Sequence, residues 1–177
     1  MKSVKWILFS ILLMLIHVNV SSQNNEFGVV VGSFNGFSYK RIVSNSFATL
    51  SEIGFPFYKS PCLIQDGDLN KVANGTMSLW GFELDQNFLF NRQFQNQWTF
   101  FVGGGVSVGM VVDYYTYDVF AKTGVNAIVG CEYAFSNVPL GISLDFRPGY
   151  GTMYFPENVL LVSLFDWKLA LSLRYCF

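Results

Sequence analysis

Charged residues are scarce in this chain of 177 residues, at 13%, against roughly 25% in ordinary soluble domains. Long hydrophobic runs are scarce too, because beyond the N-terminus no apolar stretch approaches the ~20 residues that a membrane-spanning helix needs. Clusters of lysine and arginine are absent, and the formal net charge is -1. These absences exclude a helical multi-span membrane protein and argue against a nucleic-acid partner, which a basic patch normally recognises.

The N-terminal segment is typical of a secretory signal peptide. Lys2 and Lys5 precede the apolar run Trp6–Ile16, and small or short side chains, Val20 and Ser22, lie before the expected cleavage point. The alternative is a retained anchor helix, which is disfavoured because the run is short for a membrane span. We therefore predict a cleaved signal peptide over residues 1–22 and one domain over residues 23–177.

Residue types that usually carry catalysis are poorly represented. The only histidine, His17, lies in the predicted signal peptide, and histidine is the usual general base and the commonest metal ligand. The chain has three cysteines, Cys62, Cys131 and Cys176, and an odd number does not indicate a disulfide framework. Glu83 and Asp85 could act as paired carboxylates, although pairing with cations is the favoured interpretation. We predict no enzymatic activity, no cofactor and no metal.

The C-terminal stretch shows the clearest periodicity. Large apolar side chains occupy every second position from Trp167 to Phe177, and smaller or polar ones lie between them. This period of two indicates a β-strand with unlike faces. The same alternation predicts strands over 80–88, 98–110, 124–135 and 140–147, and more weakly over 26–34, 37–43 and 47–57.

Turn signals separate these strands and indicate consecutive hairpins. Asn35-Gly36 and Asn45-Ser46 are predicted turns in the N-terminal part. Longer connections are predicted around residues 59–72, 111–122 and 156–166. About eight strands without helical periodicity predict an all-β fold, an eight-stranded antiparallel up-and-down β-barrel, which is a transmembrane β-barrel if its apolar face points outwards.

Alternation alone does not show which face points outwards. In a lipocalin-like carrier the apolar face lines a cavity, whereas in an outer-membrane barrel it faces lipid. The second face here is rich in glycine and serine, which suits the narrow interior of an eight-stranded barrel. Its charges nearly balance, as a side-chain-filled lumen requires. The predicted lumen charges are Lys40, Glu52, Glu83, Asp85, Glu132, Asp145, Arg147, Lys168 and Arg174.

Aromatic residues sort to the two ends of the predicted strands. The ten steps from Trp167 to Phe177 project to roughly 25 Å, the height of the apolar band of an outer-membrane barrel. Rings at both ends of such a band are typical of interface girdles. One predicted girdle contains Trp80 and Trp167, and the other contains Phe88, Trp98, Tyr133, Phe135 and Tyr175.

The C-terminal third resembles a known family. The segments GVNAIVGCEYAFSNVPLGISLDFRPGYG and LALSLRYCF are similar to small outer-membrane β-barrel proteins of Bacteroidetes, in the OmpA/OmpX-type barrel class. The resemblance implies that the last strand is a signal for the barrel assembly machinery. The residues that would carry this signal are Leu169, Leu171, Leu173, Tyr175 and Phe177.

Together these features predict an integral protein in the outer membrane of a Gram-negative cell envelope. A filled lumen disfavours an open porin, which leaves a structural or surface-interaction role, with lipid as one partner and an unknown ligand bound through the long connections. Tyr114, Tyr115 and Tyr117 are candidate contact residues there, unless they only extend the strands. The alternatives are a secreted carrier of a hydrophobic ligand and, third, a lipid-modifying barrel enzyme.

Overall fold

The computed structural model describes residues 24–65, 71–95, 97–115, 117–155 and 160–177. The described part of the chain contains no helix that is long and apolar enough to cross a membrane. It contains eight β-strands: β1 Asn25–Gly32, β2 Phe34–Ser44, β3 Phe47–Gln65, β4 Lys71–Gln95, β5 Trp98–Asp113, β6 Val119–Ala134, β7 Leu140–Phe155 and β8 Leu160–Cys176.

The strands close into a barrel. Each strand pairs antiparallel with the next along the chain, and β8 pairs back with β1, for example through Val29 opposite Leu173. This topology confirms the predicted all-β, eight-stranded antiparallel up-and-down fold. We call the end that carries residues 24 and 177 the terminal rim; the turns at 45–46 and 135–139 lie there as well. The opposite end, which carries the turn after Asp113, is the far rim.

The first hairpin turns earlier than the sequence predicts. Asn35 and Gly36 lie within β2, opposite Phe55 and Gly54 of β3, so the predicted turn at this pair is wrong. The chain reverses at Gly32, whose φ of 139° favours glycine. The Asn35 side chain completes this turn, since its oxygen accepts from the Gly32 N–H at 3.2 Å and its amide donates to the Gly32 carbonyl at 3.0 Å.

The other strands extend far beyond their predicted ends. Much of the predicted connections 59–72, 111–122 and 156–166 is strand: β3 runs to Gln65, β4 begins at Lys71, β6 at Val119 and β8 at Leu160. Beyond the short first hairpin, β3 and β8 pair directly, from Cys62 opposite Leu164 onwards. This pairing closes the barrel wall toward the far rim. No local sequence pattern predicts it.

The two faces of the barrel differ in the way that the alternation predicts. Leu169, Leu171 and Leu173 point outwards and are 47%, 43% and 46% exposed, whereas Lys168 and Arg174 are buried. A small apolar cluster also lies inside, formed by Ala48, Leu50, Leu89, Phe101 and Ile128. A second small apolar cluster contains Val30, Phe34 and Ala170. The interior therefore combines buried charges with apolar clusters, whereas the exposed side chains of the wall are largely apolar.

Candidate functional site

The lumen holds a set of buried ion pairs. The nine charged residues predicted from the sequence all point into the barrel and are buried there. Three further residues join them: Glu26, Lys122 and Asp166. Lys122 and Asp166 fall within predicted connections, but both lie on strands, and Glu26 lies two residues before the inward-facing Gly28 on β1. Every second residue of a strand faces inwards, so continuing this alternation along each strand would have identified all three residues.

Arg147 occupies the middle of this network. Its guanidinium pairs in a bidentate manner with the Glu52 carboxylate, and its Nη2 donates to Glu52 Oε1 at 3.1 Å. It also pairs with Asp145 on its own strand, through Nη2 to Oδ2 at 3.0 Å. The Asp85 carboxylate lies 3.9 Å away. One planar cation thus ties β3, β4 and β7 together across the lumen, as the fixed fork of arginine allows.

Between Arg147 and the far rim, two lysines form ion pairs with three carboxylates. Lys168 donates to Asp85 at 2.9 Å and also contacts Glu83. Lys122 donates to Glu83 at 3.2 Å and to Asp166 at 2.6 Å. Since Glu83 is shared by both lysines and Asp85 lies near Arg147, these pairs form one continuous network with the central arginine.

A second group lies toward the terminal rim. Arg174 donates through Nη1 to Glu132 at 3.0 Å and to the Ser143 hydroxyl at 2.9 Å. Lys40 donates to the same Glu132 carboxylate at 2.9 Å and lies 3.4 Å from Glu26. Every buried cation in the described lumen is therefore paired with acid, which offsets the cost of removing the charges from water.

These charged side chains lie inside the barrel and are buried there. Within the described residues, no group of three or more histidine, cysteine, aspartate or glutamate side chains is placed to hold a metal ion. Cys131 and Cys176 are free thiols. The geometry of the lumen supports one role, in which the buried ion pairs connect the strands electrostatically.

The outer surface carries the second candidate feature, an apolar band with aromatic rings near its ends. At the terminal rim, the Trp98 and Tyr133 rings pack 4.9 Å apart, and Tyr133 packs on Phe135 at 5.1 Å. Tyr175 stacks on Phe177 in the same region. Phe88 lies deeper in the band, stacked on Phe47. Trp80 and Trp167 are exposed on the outer face, with Trp80 opposite Val112 near the far end of β5 and Trp167 about midway along β8.

The turn between β5 and β6 presents tyrosines at the far rim. Tyr115 and Tyr117 are 73% and 71% exposed, and the Tyr114 ring packs edge-on against Tyr115 at 5.5 Å. The turn is held by backbone bonds, since the Tyr117 N–H donates to the Asp113 carbonyl at 2.9 Å and the Tyr114 N–H donates to the Ser78 carbonyl at 2.8 Å. The tyrosines are thus exposed on an ordered support.

Comparisons with known proteins give a distant structural likeness. No protein-family model matches the chain, and no curated protein matches it. Neisserial surface protein A is similar with a TM-score of 0.47 and 11% identity, covering 86% of this chain and 93% of that one. Ail, the attachment invasion locus protein of Yersinia pestis, gives 0.36 and 12%, covering 86% and 96%. A major outer membrane protein from Thermus thermophilus gives 0.38 and 13%, covering 86% and 99%. Likenesses this distant do not extend to function.

Proposed function

We propose that this chain is an outer-membrane β-barrel protein of a Gram-negative bacterium, exported by residues 1–22, with an ion-paired lumen and a surface-interaction role at its far rim. One observation carries the proposal: leucines such as Leu169, Leu171 and Leu173 face outwards, while Lys168 and Arg174 are buried in ion pairs. This inversion suits acyl chains outside the wall and not water.

The inversion also argues against the carrier that the sequence left open. A lipocalin-like protein would place the apolar face around a ligand cavity and the charges in solvent. Here the interior around Arg147 is occupied by paired carboxylates, Glu52 and Asp145, so it offers a hydrophobic ligand no apolar cavity. A buried polar network of this kind suits a rigid scaffold better than a carrier.

Cell fractionation tests the location. The full chain, expressed in a Gram-negative host, should appear in the outer-membrane fraction, resist extraction with alkali or urea, and migrate differently in a gel when it is not boiled. Recovery of the mature protein in the soluble periplasm or in the medium would overturn the proposal in favour of the carrier.

We propose that the surface interaction involves the turn between β5 and β6, which carries the exposed tyrosines. Exposed tyrosines supply large contact area at low entropic cost, and they are common anchors of protein interfaces. Tyr115 and Tyr117 are therefore the residues that we expect to touch a partner on another surface. No partner is proposed for the lumen, whose charges are already paired.

Chemical cross-linking on intact cells, followed by purification of the protein, tests this assignment. We expect a cross-linked partner with the wild type that is lost when Tyr115 and Tyr117 are both changed to serine. The matched control is Tyr150→Ser, because Tyr150 is exposed on the wall and not in the turn. Equal loss in the control, or the same partner in all three proteins, would contradict the assignment.

A further inference from the structure

Two polar side chains interrupt the apolar outer band near its middle. Ser51 of β3 and Gln86 of β4 are cross-strand neighbours on the outer face, and the Ser51 hydroxyl donates to Gln86 Oε1 at 2.6 Å. Their outward neighbours Ile53, Leu84 and Val106 are apolar and exposed. Gln86 lies midway between Trp80 and Arg92, which also face outwards on β4. It is therefore distant from both ends of the band.

The amide nitrogen of Gln86 is poorly satisfied. Within the described residues its one hydrogen bond reaches the Asn87 carbonyl at 3.5 Å, which is long for an N–H donor. An amide carries two N–H donors and can accept two bonds at its oxygen. The hydrocarbon region offers no partner for these groups, and leaving them unpaired there is costly.

A second polar pair on the same face shows the contrast. Thr123 of β6 and Thr152 of β7 also point outwards, but their hydroxyls lie 3.4 Å apart and bond to each other. Two hydroxyls bonded to each other leave one O–H hydrogen over, whereas the Gln86 amide carries two N–H hydrogens. The Ser51–Gln86 pair therefore differs from the Thr123–Thr152 pair, because it leaves an amide nitrogen with only one long hydrogen bond among the described residues.

The wall is concave around this site. A concavity of about 260 Å³ is lined by Ser51, Leu84, Gln86 and Val106, among others, and one of about 210 Å³ lies on the other side of Ser51. Ser51 is small, and small residues allow close approach at interfaces within membranes.

We propose that Gln86 lies at the centre of a two-fold interface between two copies of this chain, an inference that rests on the membrane location proposed above. Acyl chains have no hydrogen-bonding groups, and lipid headgroups lie at the edges of the band. A second copy inserts in the same direction and to the same depth, so it brings its own Gln86 to the same level. An amide is self-complementary across a two-fold axis, because each copy donates one bond and accepts one.

Energy transfer between labelled copies in phosphatidylcholine vesicles measures this association at several protein-to-lipid ratios. We expect the wild type to associate and Gln86→Leu to raise the dissociation constant about three- to twentyfold, as for one interhelical hydrogen bond within a membrane. Thr152→Val is the matched control and should leave association unchanged. A gel-mobility shift on boiling verifies that each variant has formed its barrel.

Disulfide cross-linking locates the interface. In a background with Cys62, Cys131 and Cys176 changed to serine, Gln86→Cys should form a cross-linked dimer under mild oxidation in vesicles, and Leu171→Cys on β8 should not. Barrels that insert but remain monomeric, that associate equally well with Gln86→Leu, or that cross-link equally at both positions would overturn the interface and leave the membrane proposal intact. Failure of the wild type to insert would overturn both.

Discussion

Replacing Arg147 by methionine should destabilise the barrel strongly. The methionine fills a similar volume but leaves the Glu52 and Asp145 carboxylates without their guanidinium. All three side chains are buried in the lumen, so bulk water cannot take its place. The change therefore tests whether the central network holds the strands together.

The expected loss of unfolding free energy is about 3–5 kcal/mol, as for breaking a buried ion pair by removing one partner. Arg147 makes four hydrogen bonds to the two acids, and charge-assisted bonds contribute about 1.5–3 kcal/mol each. The expected loss is smaller than the simple sum of these bonds, because contributions within one hydrogen-bond network are not additive. Adding Glu52→Gln to Arg147→Met should recover part of the loss.

Urea titration of barrels refolded into vesicles, followed by the gel-mobility shift, measures these differences. Ser172→Ala is the control, since the Ser172 hydroxyl is buried without a hydrogen-bond partner and its removal should cost little. A loss below about 1 kcal/mol for Arg147→Met, or an equal loss for Ser172→Ala, would refute the role given to the network.

The remaining predictions use the same unfolding assay or cell fractionation. Leu171→Arg places a charge on the outer face near the middle of the band and should cost about 2–4 kcal/mol; a neutral result would contradict the lipid-facing assignment. Gly28→Ala should cost about 1–3 kcal/mol, because the added Cβ would lie 2.0 Å from the Leu173 carbonyl oxygen. Gly141→Ala should be tolerated, because the nearest neighbour of its Cβ would lie 3.8 Å away. Equal losses for the two variants would show that the backbone around Gly28 moves to accommodate the methyl group. Deleting Phe177 should reduce the amount of barrel in the outer membrane but not refolding in detergent, and normal assembly in cells would refute an assembly signal there.

Side-chain alternation is the most informative feature of the sequence. A period of two fixes which residues share a face, so the inward position of Lys40, Glu83 or Arg174 follows once the barrel closes. Because each face is internally consistent, errors of a few residues in strand ends do not alter these assignments. The direction of each face also follows from composition, since glycine, serine and balanced charges suit a narrow interior.

Strand ends and long-range pairings are harder to predict. Asn35-Gly36 matches a hairpin signal, yet Gly32 turns the chain and Asn35 supports it from the next strand. Lys122 and Asp166 fall within predicted connections because the alternation around both of them is weak, and a nearly continuous apolar run precedes Asp166. Their strands are held by neighbours distant in sequence, including the pairing of β3 with β8, and a single sequence does not encode such partners locally.

Collision measurements at a nitroxide attached to Leu171→Cys, in the background free of native cysteines, test the central claim most directly. Oxygen concentrates in acyl chains, whereas a nickel chelate stays in water. If the outer face contacts lipid, the label in refolded vesicles should collide strongly with oxygen and weakly with nickel. Strong collision with nickel would show that Leu171 faces water, which would contradict the account.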